Sequence, residues 1–229
     1  MKYQAAVVKL QSSYCPKPMS NPVDAKRAQP SVRLFQNDLL EAMTHVHPIV
    51  PLLFWGPVAA FLLWRSVAVH ELPLTGLAGI AALALFIWTL TEYCLHRFVF
   101  HYPARSRIGK YVVFLFHGVH HETPRDKTRL VMPPAGGILV FLLLYPIFKL
   151  LVPAPWIEPF IAFFLIGYLC YDYIHYATHH FPMRSPILHF LKVYHLQHHY
   201  GAKGVRYGVS SPLWDRVFGT FASTRSRAN

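Results

Sequence analysis

Eleven of the fifteen histidines in this 229-residue chain fall into four short groups. HRFVFH carries His96 and His101, HGVHH carries His117, His120 and His121, HYATHH carries His175, His179 and His180, and HLQHH carries His195, His198 and His199. Neutral imidazole is the commonest protein ligand for metals, so the chemistry this pattern points to is metal binding. At about 100° per residue, positions i, i+3 and i+4 leave a helix from one side. HGVHH and HLQHH are therefore each expected to offer three imidazoles to one point, and His175 and His179 to share a face. HRFVFH is spaced i, i+5, which turns the second ring about 140° away on a regular α-helix. That pair serves two different metals, or the helix unwinds between its members. Some ten ligands are too many for one ion, since structural zinc takes four; two metals with about five ligands each are expected. No carboxylate-rich ExxH pair lies in the apolar stretches, which separates the pattern from bundle-type di-iron carboxylate sites. His45, His47, His70 and His189 belong to no repeated spacing and read as interfacial or surface residues.

Two acids stand close to the histidines. Glu92 precedes His96 by four residues and Asp172 precedes His175 by three. A metal-bound histidine normally donates its other N–H to a carboxylate or carbonyl, which fixes its tautomer and orientation. Both acids are expected in that role, because a charge at the end of an apolar span is costly and usually functional. The competing reading of Glu92 is a surface carboxylate paired with Arg97.

These residues need elements to carry them, and the composition says which. Only 14% of the chain is charged and its mean hydropathy is +0.30, against about 25% charged residues in soluble domains. Four stretches, Ile49–Trp64, Leu74–Thr91, Ala135–Val152 and Trp156–Ile174, approach the roughly 20 residues that cross a bilayer core. The fold expected is all-α: an integral membrane protein with four transmembrane helices and a cytoplasmic histidine-rich helical cap holding a dimetal site. Of 22 Lys and Arg residues, all but Arg65 and Lys149 lie in residues 1–46, 96–132 and 175–229. The linkers HELP and PAPWIEP carry none. That asymmetry puts both termini in the cytoplasm of a multi-pass protein of a bacterial inner membrane or the endoplasmic reticulum. The formal charge of +12 is then assigned to anionic lipid headgroups rather than nucleic acid, for which no stacking platform or groove-reading motif is evident. Cys15, Cys94 and Cys170 form no CxxC, and no removable signal segment is evident. The domain reading is a tail over 1–46 with an interfacial amphipathic stretch at Leu34–Met43, an embedded domain over 47–222 and a C-terminal tail over 223–229.

EYCLHRFVFH, HGVHHETPRDKTRLVMPP, YDYIHYATHH and YHLQHHYGAKGVRYGVSSPLWDRVFGT, in this order, resemble the histidine boxes of the fatty acid hydroxylase/sterol desaturase superfamily of membrane di-iron enzymes. The resemblance runs from about Leu34 to Thr220. DKTRLVMPP makes the chain similar to the fatty acid 2-hydroxylases that act on sphingolipid acyl chains, whereas WDRVFGT is shared across the superfamily. The resemblance implies metal ligands at His96, His101, His117, His120, His121, His175, His179, His195, His198 and His199, with His180 a less certain neighbour and Asp172 a supporting acid. It implies an oxygenase holding two iron ions, which zinc can replace, with dioxygen as co-substrate and hydroxylation at the carbon beside the acyl carbonyl. The substrate is a membrane lipid with a long acyl chain, with Lys127 and Arg129 as candidate headgroup contacts and Tyr171 at the boundary between lipid and site. Many eukaryotic relatives carry an N-terminal haem-binding domain; residues 1–46 are too short for one, so a separate electron-transfer protein is expected. A sterol or carotenoid desaturase or hydroxylase of the same superfamily is the alternative substrate class. A metal transporter and a non-catalytic metal protein are the alternatives of other classes. Oligomeric state is not legible.

Overall fold

In the computed structural model the described residues are 31–223; the first thirty residues of the expected N-terminal tail and all but residue 223 of the C-terminal tail lie outside them. Among the described residues every regular element is helical. The short helix α1, Asp38–Met43, starts at Asn37, whose side chain accepts from the backbone N–H groups of Leu39 and Leu40. That is the usual way a helix start satisfies its free donors. Leu39, Leu40 and Met43 point outward, as an interfacial segment requires.

Four helices are long and apolar enough to cross a membrane: α2, Val50–Ala68; α3, Leu74–Cys94, prolonged by a π-helical turn, Leu95–Phe100; α6, Pro134–Leu151; and α7, Ile157–His180. The expected spans are all present, with α3 and α7 extended into the histidine groups at one end. α7 is the central helix, 61% of its apolar window being buried, while only 6% of α6 is. α7 packs along both α2 and α3, and α6 touches α2 lightly. Lipid offers apolar side chains as good an environment as the protein does, so tight helix contact there depends on small residues and shape. Gly167 of α7 shows this. A methyl group added to it would lie 2.7 Å from the Trp88 ring of α3, so only glycine lets the two helices approach.

The cap is built from short helices at that same end: α4, Arg107–Val113, a π-helical turn Phe114–Gly118, α5, Val119–Glu122, α8, Pro186–Tyr200, and α9, Leu213–Val217. The Ser185 hydroxyl caps α8 and Pro186 occupies its first turn, both favoured choices at a helix start. Lys192 of α8 donates to the carbonyls of Thr178 (2.8 Å) and Phe181 (2.7 Å) at the end of α7. That clasp holds the histidines of α8 across from those of α7. At the opposite end of the bundle, Arg65 pairs with Glu158 at 2.9 Å.

Candidate metal centre

The ten histidines assemble into two groups of five, with the facing ring nitrogens of each group all within 4.8 Å of one another. The first group is His96, His101, His117, His121 and His198, and the second is His120, His175, His179, His195 and His199. In the first, Nε2 of His117 lies 3.0 Å from that of His96 and 2.9 Å from that of His121, and His101 and His198 face each other at 2.9 Å. In the second, His120 lies 3.0 Å from His175 and 3.1 Å from His199, while His195 lies 2.9 Å from His179 and 3.0 Å from His199. The groups abut, the rings of His121 and His199 stacking with centroids 4.1 Å apart.

Membership corrects the expectation for HGVHH and HLQHH and, for His96 and His101, selects the unwound of the two arrangements expected. HGVHH and HLQHH do not each serve one point: His117 and His121 join the first group and His120 the second, while His195 and His199 join the second and His198 the first. An i, i+4 step turns a side chain about +40° and an i, i+3 step about −60°, so the third and fourth positions diverge by about 100°. Each motif therefore straddles both groups. His96 and His101 stay together in spite of their i, i+5 spacing. The segment between them is wound as a π-turn, closed by the His101 N–H donating to the His96 carbonyl at 3.1 Å. A π-turn adds one residue per turn, which brings the fifth position back toward the first.

The carboxylates do something other than expected. Glu92 does not touch His96, nor does it pair with Arg97, whose guanidinium donates to the Tyr93 hydroxyl. Its carboxylate accepts from the N–H groups of Val209 (2.6 Å) and Ser210 (2.9 Å) and from the Ser210 hydroxyl. Asp172 accepts from the Tyr168 hydroxyl at 3.3 Å and not from His175. The groups that do face histidine are backbone carbonyls of a strap, residues 205–211: Tyr207 accepts from His96 Nδ1 and Val205 from His198 Nδ1 (2.9 Å). The strap is held from its other side by Asp215, fully buried, which accepts from the N–H groups of Tyr207 (2.8 Å) and Gly208 (2.7 Å). A Cβ on Gly208 would fall 2.0 Å from the Ser211 carbonyl oxygen. Sequence reasoning missed this strap. Its one signal was Asp215, inside the WDRVFGT string.

Other expected residues divide. His180 belongs to neither group; its ring lies beside Tyr176 and its Nε2 is buried without a partner. Arg129 is not available to a headgroup. Its side chain is 1% exposed and donates to Glu41, Ser31 and Thr44 and contacts His45, pinning the segment before α2 onto the cap. Lys127 is exposed. Tyr171 is buried, its ring stacked on His175. It also lines a cavity of about 50 Å³ bounded by Trp55, Trp88, Leu95, Met132 and Phe141.

The donor set fits a pair of metal ions. A carbonyl can only accept, so His96 and His198 carry their protons on Nδ1, and each Nε2 is a bare lone pair aimed into its group. Burial and neighbouring imidazoles hold His117, His120 and His195 well below the ordinary histidine range, and lower His121 to about 2 and His101 to about 4. The rings are neutral at pH 7, the form that binds metal. An unfolded histidine protonates near 6.5, so on acidification the unfolded chain takes up protons before the folded one does. Stability and metal retention are therefore expected in full above about pH 6.5 and to fall progressively as the pH drops toward 4. Metal content after dialysis at pH 7 and pH 5 checks this; equal content at both would contradict it.

The chain is similar to known proteins in sequence and in fold. A family model described as fatty acid hydroxylase matches residues 81–220. The dihydroceramide fatty acyl 2-hydroxylase FAH1 of Arabidopsis thaliana is 37% identical over 195 residues, 85% of this chain and 81% of that protein. The ceramide very long chain fatty acid hydroxylase SCS7 of Saccharomyces cerevisiae is 40% identical over 83% of this chain, which spans 50% of that protein. Rat fatty acid 2-hydroxylase is 33% identical over 82% of this chain and 56% of its own length. A solved structure described as full-length scs7p, with only the hydroxylase domain visible, superposes with a TM-score of 0.72 at 38% identity, covering 84% of this chain and 72% of that one.

Proposed function

This chain belongs to the fatty acid hydroxylase family, and from that premise we propose that it is a membrane oxidoreductase that hydroxylates a lipid acyl chain at the carbon beside its carbonyl. The observation that carries the reading is the placement of two five-histidine groups at one end of a four-helix membrane bundle, one side chain away from an apolar cavity whose lining residues Tyr171 and Phe100 stack on His175 and His117. The relatives named for dihydroceramide, ceramide and fatty acyl substrates support a sphingolipid or related acyl lipid as the substrate class.

Two iron ions bound by the ten histidines would supply the dioxygen-dependent oxidation of an unactivated C–H bond, and imidazole-only donors suit iron and zinc alike. The chain's own residues provide the setting. His96 and His198 keep their protons on Nδ1 against the strap and present Nε2 inward. Tyr171, stacked on His175, stands between the second group and the cavity, where it shields the site from lipid and steers a chain toward it. The cavity wall runs from Phe100, stacked on His117, past Met132 to Phe141 and Phe164 within the bundle. At about 50 Å³ it has room for a few water molecules, each needing about 10–15 Å³ on that measure, and not for a long acyl tail. Of the helices lining the cavity, α6 is the most lightly packed and is the wall whose outward movement would admit an acyl tail. Exposed Lys127 is placed to meet an anionic or polar headgroup at the interface.

The histidine end is assigned to the cytoplasm, because the basic residues flank that end. A separate electron-transfer protein reaches the centre from that side. Residues 47–222 form the embedded domain and 1–46 and 223–229 its tails. The histidines sit at one end rather than at mid-membrane, which favours an enzyme over a permeation site. The test is expression in a host lacking the activity, under ¹⁸O₂, with lipid mass spectrometry. One labelled oxygen at C2 of an acyl chain is the expected result. Label on a sterol or carotenoid ring, or no labelled lipid at all, would overturn the proposal.

A further inference from the structure

The two histidine groups match in size and burial, each having three buried rings and two half-buried ones. They differ in what stands behind the rings. In the first group, Nδ1 of both His96 and His198 meets a carbonyl of the strap. In the second, Nδ1 of His120, His195 and His199 is buried with no hydrogen-bond partner. The strap itself is fixed to α3 through Glu92, which takes three hydrogen bonds from Val209 and Ser210.

Building on the dimetal reading above, we infer that the two metal sites are unequal: the strapped first group holds its ion more tightly, and Glu92 is the positioning residue that maintains the difference. A carbonyl behind the ring fixes the tautomer, stops the ring turning and enriches the facing nitrogen in electron density. Partners of this kind are worth about 10–100-fold in metal affinity. These three rings of the second group must keep an Nδ1 proton in a buried place with no acceptor, or turn to find one, and either weakens the ligand. Solvent access does not separate the two sites, because their burial is the same. Glu92 acts at a distance. It touches no histidine, but it sets where the Tyr207 carbonyl stands.

The test uses the full chain in lipid nanodiscs, loaded anaerobically with ferrous iron and challenged with a ferrous-selective chelator. Metal analysis and ⁵⁷Fe Mössbauer spectra follow the loss. Two iron equivalents leaving in two phases at least about tenfold apart, with two distinct quadrupole doublets, are expected. Ser210→Ala and Glu92→Gln should accelerate the slow phase alone by about tenfold or more. His195→Ala, which disables the second group, should leave one ion with the slow phase. Ser210→Ala removes only a hydroxyl, so it carries the test if Glu92→Gln fails to fold. A single phase for both ions, or equal acceleration of both phases in the variants, would overturn the inference while leaving the dimetal centre intact. Fewer than two iron equivalents in the unaltered protein would overturn the dimetal reading itself.

Discussion

His120→Ala and His121→Ala, neighbours on one turn of helix, are each expected to lower metal content from about two equivalents per chain to about one and to abolish lipid hydroxylation. They should empty different sites. His120 faces His175 and His199, whereas His121 faces His117. The double variant should bind no metal. Each truncation removes one of five facing nitrogens and leaves the other four around a gap. On the proposed dimetal reading the oxidation uses both ions, so activity is expected to be lost equally in both single variants even though the ion lost differs. Metal analysis, with product formation measured on the same preparation, checks this. If either variant kept two equivalents and normal turnover, the division of the groups would be wrong.

The second large effect is structural. Asp215→Ala is expected to destabilise the cap enough to prevent stable metal loading. The Asp215 carboxylate is fully buried and accepts from Tyr207 N–H (2.8 Å), Gly208 N–H (2.7 Å) and the Thr220 hydroxyl (2.7 Å). Removing it orphans the buried N–H groups of Tyr207 and Gly208, each costing about 1–3 kcal/mol, and leaves the Thr220 hydroxyl with only Tyr93 as partner, against a total stability of about 5–15 kcal/mol for a typical domain. Asp215→Asn keeps one accepting oxygen and should be intermediate. Thermal unfolding in detergent, read together with metal content, measures both variants. An Asp215→Ala protein that melted and loaded like the parent would show that the strap is held by other contacts.

Much of this architecture is legible from residue types alone, because the forces that set it act within a single element. A run of about 20 apolar residues that crosses a bilayer is a helix, since within one segment the backbone has no other way to satisfy its own hydrogen bonds in lipid. Histidines spaced i, i+4, as in His175 and His179, share a face wherever that helix is placed. The four spans and the gathering of the histidines at one end follow from those facts.

The pairing between elements does not. His120 joins His175 rather than His117, because α7 and α8 close around α5 from the side to which an i, i+3 step turns the ring. His101 returns to His96 through a π-turn that a count of 3.6 residues per turn does not anticipate. Glu92 and Arg129, read as a histidine partner and a headgroup contact, are instead taken up by the strap and by the segment around α1. A buried charge binds whichever unsatisfied donors or acceptors packing brings within about 3 Å, and those come from residues about a hundred positions away in the chain. The sequence by itself therefore determined that the chain is a membrane protein carrying ten clustered imidazoles. Only the tertiary structure decided which five face which point and what holds them there.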